Sequence, residues 1–295
     1  MPGGFIDAPV LRFTPFYYLW YSMRVDILSG TSPGMKALRK ICARAASLVC
    51  CLLIAGSPLF SQQKREIELT AQEILARVDR VLGYPRGLLK GKLMHILPDG
   101  ASNLVYIGGK IAESDFLFSF SSRERGEELR VLYNLGGEDI WVYDTLAVRL
   151  FRKMDRDKYD PILATNYSFI DLSNADLQSN YSGVIIGDAV VKAQDAYKLR
   201  LEPIFKGGVY GLLTLYAGKK DFVPLRIDYH DQDRVIFKSL SVVKVIERNN
   251  RVIPVRFDML DLRRGTLTIL EFYGFDESAV FDKSVFFHQR LGDKD

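Results

Sequence analysis

Between Leu89 and Phe272 the chain repeats one pattern, short runs in which apolar and polar residues alternate, and that period of two limits the folds open to it more than any other feature. Phe116, Phe118 and Phe120 share one side of a strand. Leu225, Ile227 and Tyr229 alternate with Arg226 and Asp228, and Val255, Phe257 and Met259 alternate with Arg256 and Asp258. A strand so patterned turns one face to a core and the other to water. Such segments lie at about 89–97, 102–112, 115–121, 128–135, 139–144, 147–154, 181–191, 196–203, 209–217, 223–230, 234–246, 252–260 and 265–274. Pro98-Asp99-Gly100, Gly136-Gly137, Asn249-Asn250 and Arg264-Gly265 mark tight reversals between them. Strands in sequence order with short turns predict an antiparallel meander. There is no helix–strand alternation, no Gly-rich phosphate loop and no repeat of fixed period. A long sheet with one apolar face must curl around something.

Little helix is on hand to fill that concavity. Thr70-Ala71-Gln72-Glu73 forms a capping box, with Leu69 and Ile74 as a hydrophobic staple. Ile74, Leu75, Val78, Val81 and Leu82 follow at helical spacing until Gly83 and Pro85 stop the helix. The stretch YDPILATNYSFIDLSNADL, Tyr159 to Leu177, lacks the alternation and interrupts the strands. Tyr159, Ile162, Leu163, Tyr167 and Phe169 are expected to form its apolar underside, as a lid over the concavity or as a fixed plug within it. Asp160, Asp171 and Asp176 are expected to stay in water or to cap short helical turns.

The 295 residues carry a formal net charge of +4, and its location matters. Residues 1–61 hold six basic and two acidic side chains, whereas 62–295 balance 34 against 34. A neutral body of mixed charge offers no footprint for nucleic acid. The basic excess belongs to MKALRKICARAASLVCCLLIAGSPLFSQQ, which begins at Met35. Lys36, Arg39, Lys40 and Arg44 precede an apolar run from Ala45 to Ala55, and Ser61 stands before Gln62 as a cleavage point. An export signal at 35–61 is the leading expectation, with an uncleaved anchor or a lipoprotein signal at Cys51 as alternatives. Residues 1–34, which include FTPFYYLWY, are expected to be an extension ahead of a true start at Met35 or Met23. Residues 62–295 are then one exported, periplasmic domain. Its leader takes all three cysteines, Cys42, Cys50 and Cys51, leaving no thiol for disulfide, metal or nucleophilic chemistry.

Nothing in the remainder points to catalysis. His95, His230 and His288 stand far apart. Asp155, Asp157 and Asp160 in MDRDKYD lack the central Gly and closing Glu of a calcium loop. There is no GxSxG and no HExxH. No enzyme, no cofactor and no metal site is expected.

Four segments in order, LGGEDIWVYD, YDPILATNYSFIDL, DFVPLRIDYHDQDRVIFKSL and RVIPVRFDMLDLRRGTLTILEF, resemble the outer-membrane lipoprotein-sorting family, which includes LolA, LolB and the sensor RseB. The resemblance spans about 68–292. Ser168, Asp171 and Leu172 agree with the family; an acidic residue and a Phe usually stand where this chain has Asn166 and Tyr167, and Gly and Glu often stand at Ala164 and Ile170. The resemblance implies an α+β, mainly β fold: a strongly curved antiparallel sheet, a half-open barrel, with helices or a lid over its concave side. It implies a non-enzymatic carrier of lipid or lipoprotein acyl chains. A lipid sensor, an accessory subunit of a membrane transporter and an exported hydrolase are the alternatives. Acyl chains are the expected ligands, a membrane transporter or an outer-membrane acceptor an expected partner, and a monomer the expected state. The alternating strands nominate Phe116, Phe118, Phe120, Trp141, Tyr143, Leu212, Leu225, Ile227, Phe257 and Met259 as the walls of an apolar cavity.

Overall fold

The computed structural model describes residues 69–173, 176–205 and 207–293. The proposed extension and export signal, and so the boundaries at 34 and 61, lie outside the described residues.

Helix α1 (Ala71–Leu82) opens on its capping box: the Thr70 N–H donates to Glu73 Oε2 at 2.8 Å, and the Glu73 N–H to Thr70 Oγ1 at 3.2 Å. Its apolar stripe, Ile74, Leu75 and Val78, is fully buried. Thirteen strands follow: β1 (Gly87–Ile96), β2 (Ser102–Ala112), β3 (Asp115–Ser122), β4 (Gly126–Asn134), β5 (Asp139–Asp144), β6 (Arg149–Lys153), β7 (Tyr181–Val191), β8 (Gln194–Pro203), β9 (Leu212–Gly218), β10 (Pro224–His230), β11 (Ile236–Arg248), β12 (Arg251–Asp261) and β13 (Thr266–Asp276). All belong to one antiparallel sheet in the order β6-β5-β4-β3-β2-β1-β13-β12-β11-β10-β9-β8-β7. Two meanders therefore meet at a seam between β1 and β13, where Leu93 faces Leu270. The sheet does not close, and β6 and β7 are its two edges.

Short turns drive the meander. Asn249 and Asn250, both at positive φ (50° and 58°), form the two-residue reversal that suits a twisted hairpin. Register shifts at Lys90/Gly91, Phe120/Ser121, Val242/Lys244 and Tyr229/His230 bend the strands. At the first of these the residue must be Gly: a Cβ on Gly91 would lie 2.7 Å from the Phe272 ring and 2.9 Å from the Glu271 carbonyl.

The curl puts the alternating apolar faces on one concave side, where they join α1 in a single core. Phe116, Phe118, Phe120, Leu225, Ile227, Phe257 and Met259 all belong to it. Tyr84 meets the edges of Phe116, Phe118 and Phe272 at 5.6, 5.3 and 5.9 Å, and Phe116 stacks on Tyr133 at 4.6 Å. Each such pair adds about 0.5–1.5 kcal/mol beyond burial alone.

Three of the nominated wall residues point the other way. Trp141 and Tyr143 lie on the convex face, in a second cluster with Leu132, Phe281, Phe286 and Leu291. Ile140 and Val142 face the concave core instead. The chain after β13 runs back over this patch. His288 stacks on Trp141 at 4.0 Å, Asn134 donates to the Phe286 carbonyl at 3.1 Å, and Arg130 donates to the Leu291 carbonyl at 3.0 Å. Leu212 also faces outward. It pairs with His230, whereas Leu213 pairs with Tyr229 and shares its side of the sheet. The convex face is not uniformly wet: Asp228, expected in solvent, is buried and bonded by Arg226 Nε and Ser239 Oγ, both at 2.7 Å.

Candidate functional site

Residues 154–180 join the two edge strands and cross the concave face on the way. Every apolar residue nominated from this insert packs on the core: Ile162, Tyr167 and Phe169 are buried, and Tyr159 and Leu163 are half-buried. Backbone polar groups freed by the lack of regular structure find side chains. Tyr133 donates to the Phe169 carbonyl at 3.0 Å, and Tyr84 to the Leu172 carbonyl at 3.3 Å.

Asn166 holds the tip of the insert. Its Nδ2 donates to the carbonyls of Met259 (2.9 Å) and Thr266 (2.8 Å), its Oδ1 accepts from Thr266 Oγ1 (2.7 Å), and its N–H donates to Thr268 Oγ1 (3.0 Å). This amide thus bridges β12 and β13 with both donors and its acceptor used.

The three aspartates of the insert separate. Asp160 is exposed and pairs with Lys153 at 2.7 Å, and Asp176 caps helix α2 (Leu177–Asn180) by accepting from the Ser179 N–H at 3.0 Å, both as expected. Asp171 does neither. Its side chain is 2% exposed and meets Lys238 Nζ, on β11, at 2.6 Å, with the Lys238 side chain 7% exposed. Tyr210 donates to Asp171 at 2.7 Å, and the Ser168 N–H and hydroxyl donate at 2.7 and 2.6 Å. Lys238 Nζ also lies 2.5 Å from the Tyr210 hydroxyl and 4.8 Å from the ring centres of Tyr210 and Tyr229. Burial pulls the Lys238 ammonium below its ordinary pKa, and the Asp171 charge pulls it back. The pair survives in a dry setting because each charge meets several partners.

Beside this pair lies a cavity of about 180 Å³. Its floor is Leu213, Ile227, Tyr229, Leu240, Phe257 and Leu270; the insert supplies Tyr159, Tyr167 and Ile170 to Ser173; α1 and the residues after it supply Leu82 and Tyr84. It opens past Asp176, Asn180 and Phe205, the last of them 74% exposed. Of the nominated wall residues the structure brings Ile227 and Phe257 to this space, with Tyr159 and Tyr167 from the insert. Phe116, Phe118, Phe120, Leu225 and Met259 share the concave face but pack into solid core rather than onto the cavity. Sequence reasoning missed Leu213, Tyr229 and Leu270, although the parity of β10 and β12 carried the signal for Tyr229 and, across the ladder, for the other two.

One further carboxylate braces the mouth. Asp79 of α1 accepts from the N–H groups of Leu177 and Gln178, both at 2.9 Å. Burial outweighs these bonds and raises its pKa to about 6. The folded form therefore holds a proton that the unfolded chain, near 3.9, has released. The stability that Asp79 contributes is fully present below about pH 4 and is lost as pH rises through about 6, by on the order of 2 kcal/mol. In urea unfolding at several pH values, the stability of the unaltered protein relative to Asp79→Asn should fall by that amount between about pH 4 and pH 7; a difference that does not change with pH would refute the assignment.

His95 bonds Thr268 Oγ1 at 2.8 Å, and His230 bonds Thr214 Oγ1 at 3.0 Å. Among the described residues no group of three or more His, Cys, Asp or Glu is placed to hold a metal ion, and no helix is long and apolar enough to cross a membrane.

The open, curled antiparallel sheet is a fold shared by several solved structures. A DUF1329 family protein from Desulfovibrio piger matches with a TM-score of 0.67 at 19% identity, over 75% of this chain and 97% of that one. A putative outer membrane lipoprotein-sorting protein domain from Vibrio parahaemolyticus matches at 0.66 and 18% identity, over 75% and 98%. A LolA superfamily protein from Nitrosomonas europaea matches at 0.62 and 19% identity, over 76% and 100%. The chain therefore has the LolA-like, half-open β-barrel fold expected of it. Within that fold it belongs to a family described as "Uncharacterized protein", whose model matches residues 112–293. No curated protein matches the sequence.

Proposed function

We propose that this protein is a non-enzymatic periplasmic carrier that holds an acyl chain of a lipid or lipoprotein in the cavity under its insert. The observation that carries this reading is the cavity itself: an aliphatic and aromatic floor on the concave sheet, with its mouth at Phe205. The likeness to a lipoprotein-sorting domain agrees with it. In this reading residues 35–61 export the chain and 62–295 form the working domain. A transporter or an outer-membrane acceptor takes the cargo at the mouth.

Size limits what the resting cavity takes. An apolar cavity of about 150 Å³ accommodates benzene, so the 180 Å³ found here fits a section of one chain. Each buried methylene contributes about 0.8 kcal/mol. Micromolar affinity then needs about ten of them, and the rest of the chain lies along the mouth or displaces the insert.

The test is binding of the apolar dye N-phenylnaphthylamine to the purified full chain. Ile227→Trp should fill the floor and weaken binding at least tenfold. Val243→Thr, at an exposed position of β11, should leave it unchanged. Absence of dye binding by the unaltered protein, together with no lipid in solvent extracts of it, would defeat the carrier reading.

A further inference from the structure

Four tyrosines around the insert are satisfied through their hydroxyls, and three that line the cavity are not. Tyr84, Tyr133, Tyr167 and Tyr210 each bond through the hydroxyl, to the carbonyls of Leu172, Phe169 and Phe257 and to Asp171. Tyr229 is only 7% exposed and lines the cavity, yet its hydroxyl makes no hydrogen bond among the described residues. A hydroxyl turned into a largely apolar cavity is poorly solvated there and gains from a ligand that supplies a hydrogen-bond partner. The Tyr229 hydroxyl is not sealed into the packing, so it faces the cavity. The hydroxyls of Tyr159 and Tyr181, which line the same cavity, likewise bond no described residue.

The surroundings decide which group these phenols await. Burial first, and the Asp171 charge with it, keeps Tyr229 and Tyr159 neutral, and burial, Tyr159 and Asp171 do the same for Tyr181. Asp171 is itself part of the cavity wall. Lys238 is not, being turned to Asp171 and Tyr210. A carboxylate entering here would meet a carboxylate, with its nearest cation already engaged and little water to screen the two. A hydroxyl, ester or amide would accept from or donate to the phenols at no such cost.

We propose that the cavity is a subsite for a single-chain amphiphile with a neutral hydrogen-bonding headgroup, whose oxygen or N–H bonds the Tyr229 hydroxyl. This rests on the acyl-carrier reading and narrows it: an acylglycerol or an acyl ester or amide is the cargo, and a free fatty acid is not.

The experiment displaces N-phenylnaphthylamine from the purified full chain at pH 7 with monodecanoylglycerol and, separately, with decanoate, so that the chain is shared and only the headgroup differs. The glyceride is expected to displace the dye at least tenfold more effectively. Tyr229→Phe removes an oxygen that bonds no described residue, so the variant should fold with an unchanged or raised melting temperature. It should still bind the dye, lose five- to tenfold in affinity for the glyceride and leave that for decanoate unaltered. Equal or better displacement by decanoate overturns the inference while the carrier reading stands, as does a glyceride-to-decanoate ratio untouched by Tyr229→Phe. Failure of the unaltered protein to bind the dye, together with no lipid in solvent extracts of it, defeats both.

Discussion

Lys238→Met is expected to lower the stability of the protein by about 3–5 kcal/mol. The loss comes from what stays behind rather than from the ion pair's own worth. Asp171, 2% exposed, keeps the donors of Ser168 and Tyr210 but loses the Lys238 ammonium at 2.6 Å. An ionised carboxylate then stands in an apolar surround, or takes up a proton at a cost in free energy. Lys238→Met with Asp171→Asn should recover most of the deficit, because replacing both members of a buried pair is often near neutral. Urea unfolding of the two variants beside the unaltered protein makes the comparison. A single variant within about 1 kcal/mol of the original would show that the pair contributes no more than a surface contact, and a double variant as unstable as the single would place the loss in packing by the lysine stem.

Asn166→Ala is expected to cost about 3 kcal/mol and to loosen the insert first. The substitution leaves the Met259 and Thr266 carbonyls and the Thr266 hydroxyl without their partner in the core. Each buried group so stranded costs about 1–3 kcal/mol. Asn166→Asp should be worse at pH 7, since a carboxylate would face two carbonyl oxygens and could bond only when protonated. Its pKa in the folded state would be raised, so its stability should improve as pH is lowered. Amide exchange locates the effect: protection in residues 159–173 should fall before that of the sheet. Equal loss throughout would mean that the insert and the sheet open together.

The strands were legible because turns and alternation reinforce one another. β3, β10 and β12 each present apolar residues at every second position, and the curl follows from their number. Parity failed on strands with two apolar faces. Trp141 sits between Ile140 and Val142, and only the C-terminal chain, Phe286 and Leu291 above all, explains why an indole is wanted on the convex side. That chain is built of short turns with no period to read. Leu212 and Leu213 were separable only by the register against β10. Asp171 looked like a loop acid because Lys238, its partner, is 67 residues away and pairing at that distance leaves no local trace. The free hydroxyl of Tyr229 is a property of its neighbours rather than of its own position, and no strand pattern encodes it.

The seam between β1 and β13 sets an order on folding. β1 has β2 beside it soon after it emerges, but its other edge waits for the last strand of the sheet, with Ile96 opposite Leu267. Hairpins within each meander close over short spans and are quick; the seam closes over most of the domain. Until then the aromatic face of Phe116, Phe118 and Phe120 lacks Phe272, the residue that reaches it through Tyr84. A growing or partly unfolded chain thus carries an open sheet edge and an uncovered apolar face at the same time, the pairing that favours aggregation. The vulnerable interval in this protein's life ends when its final hairpin docks.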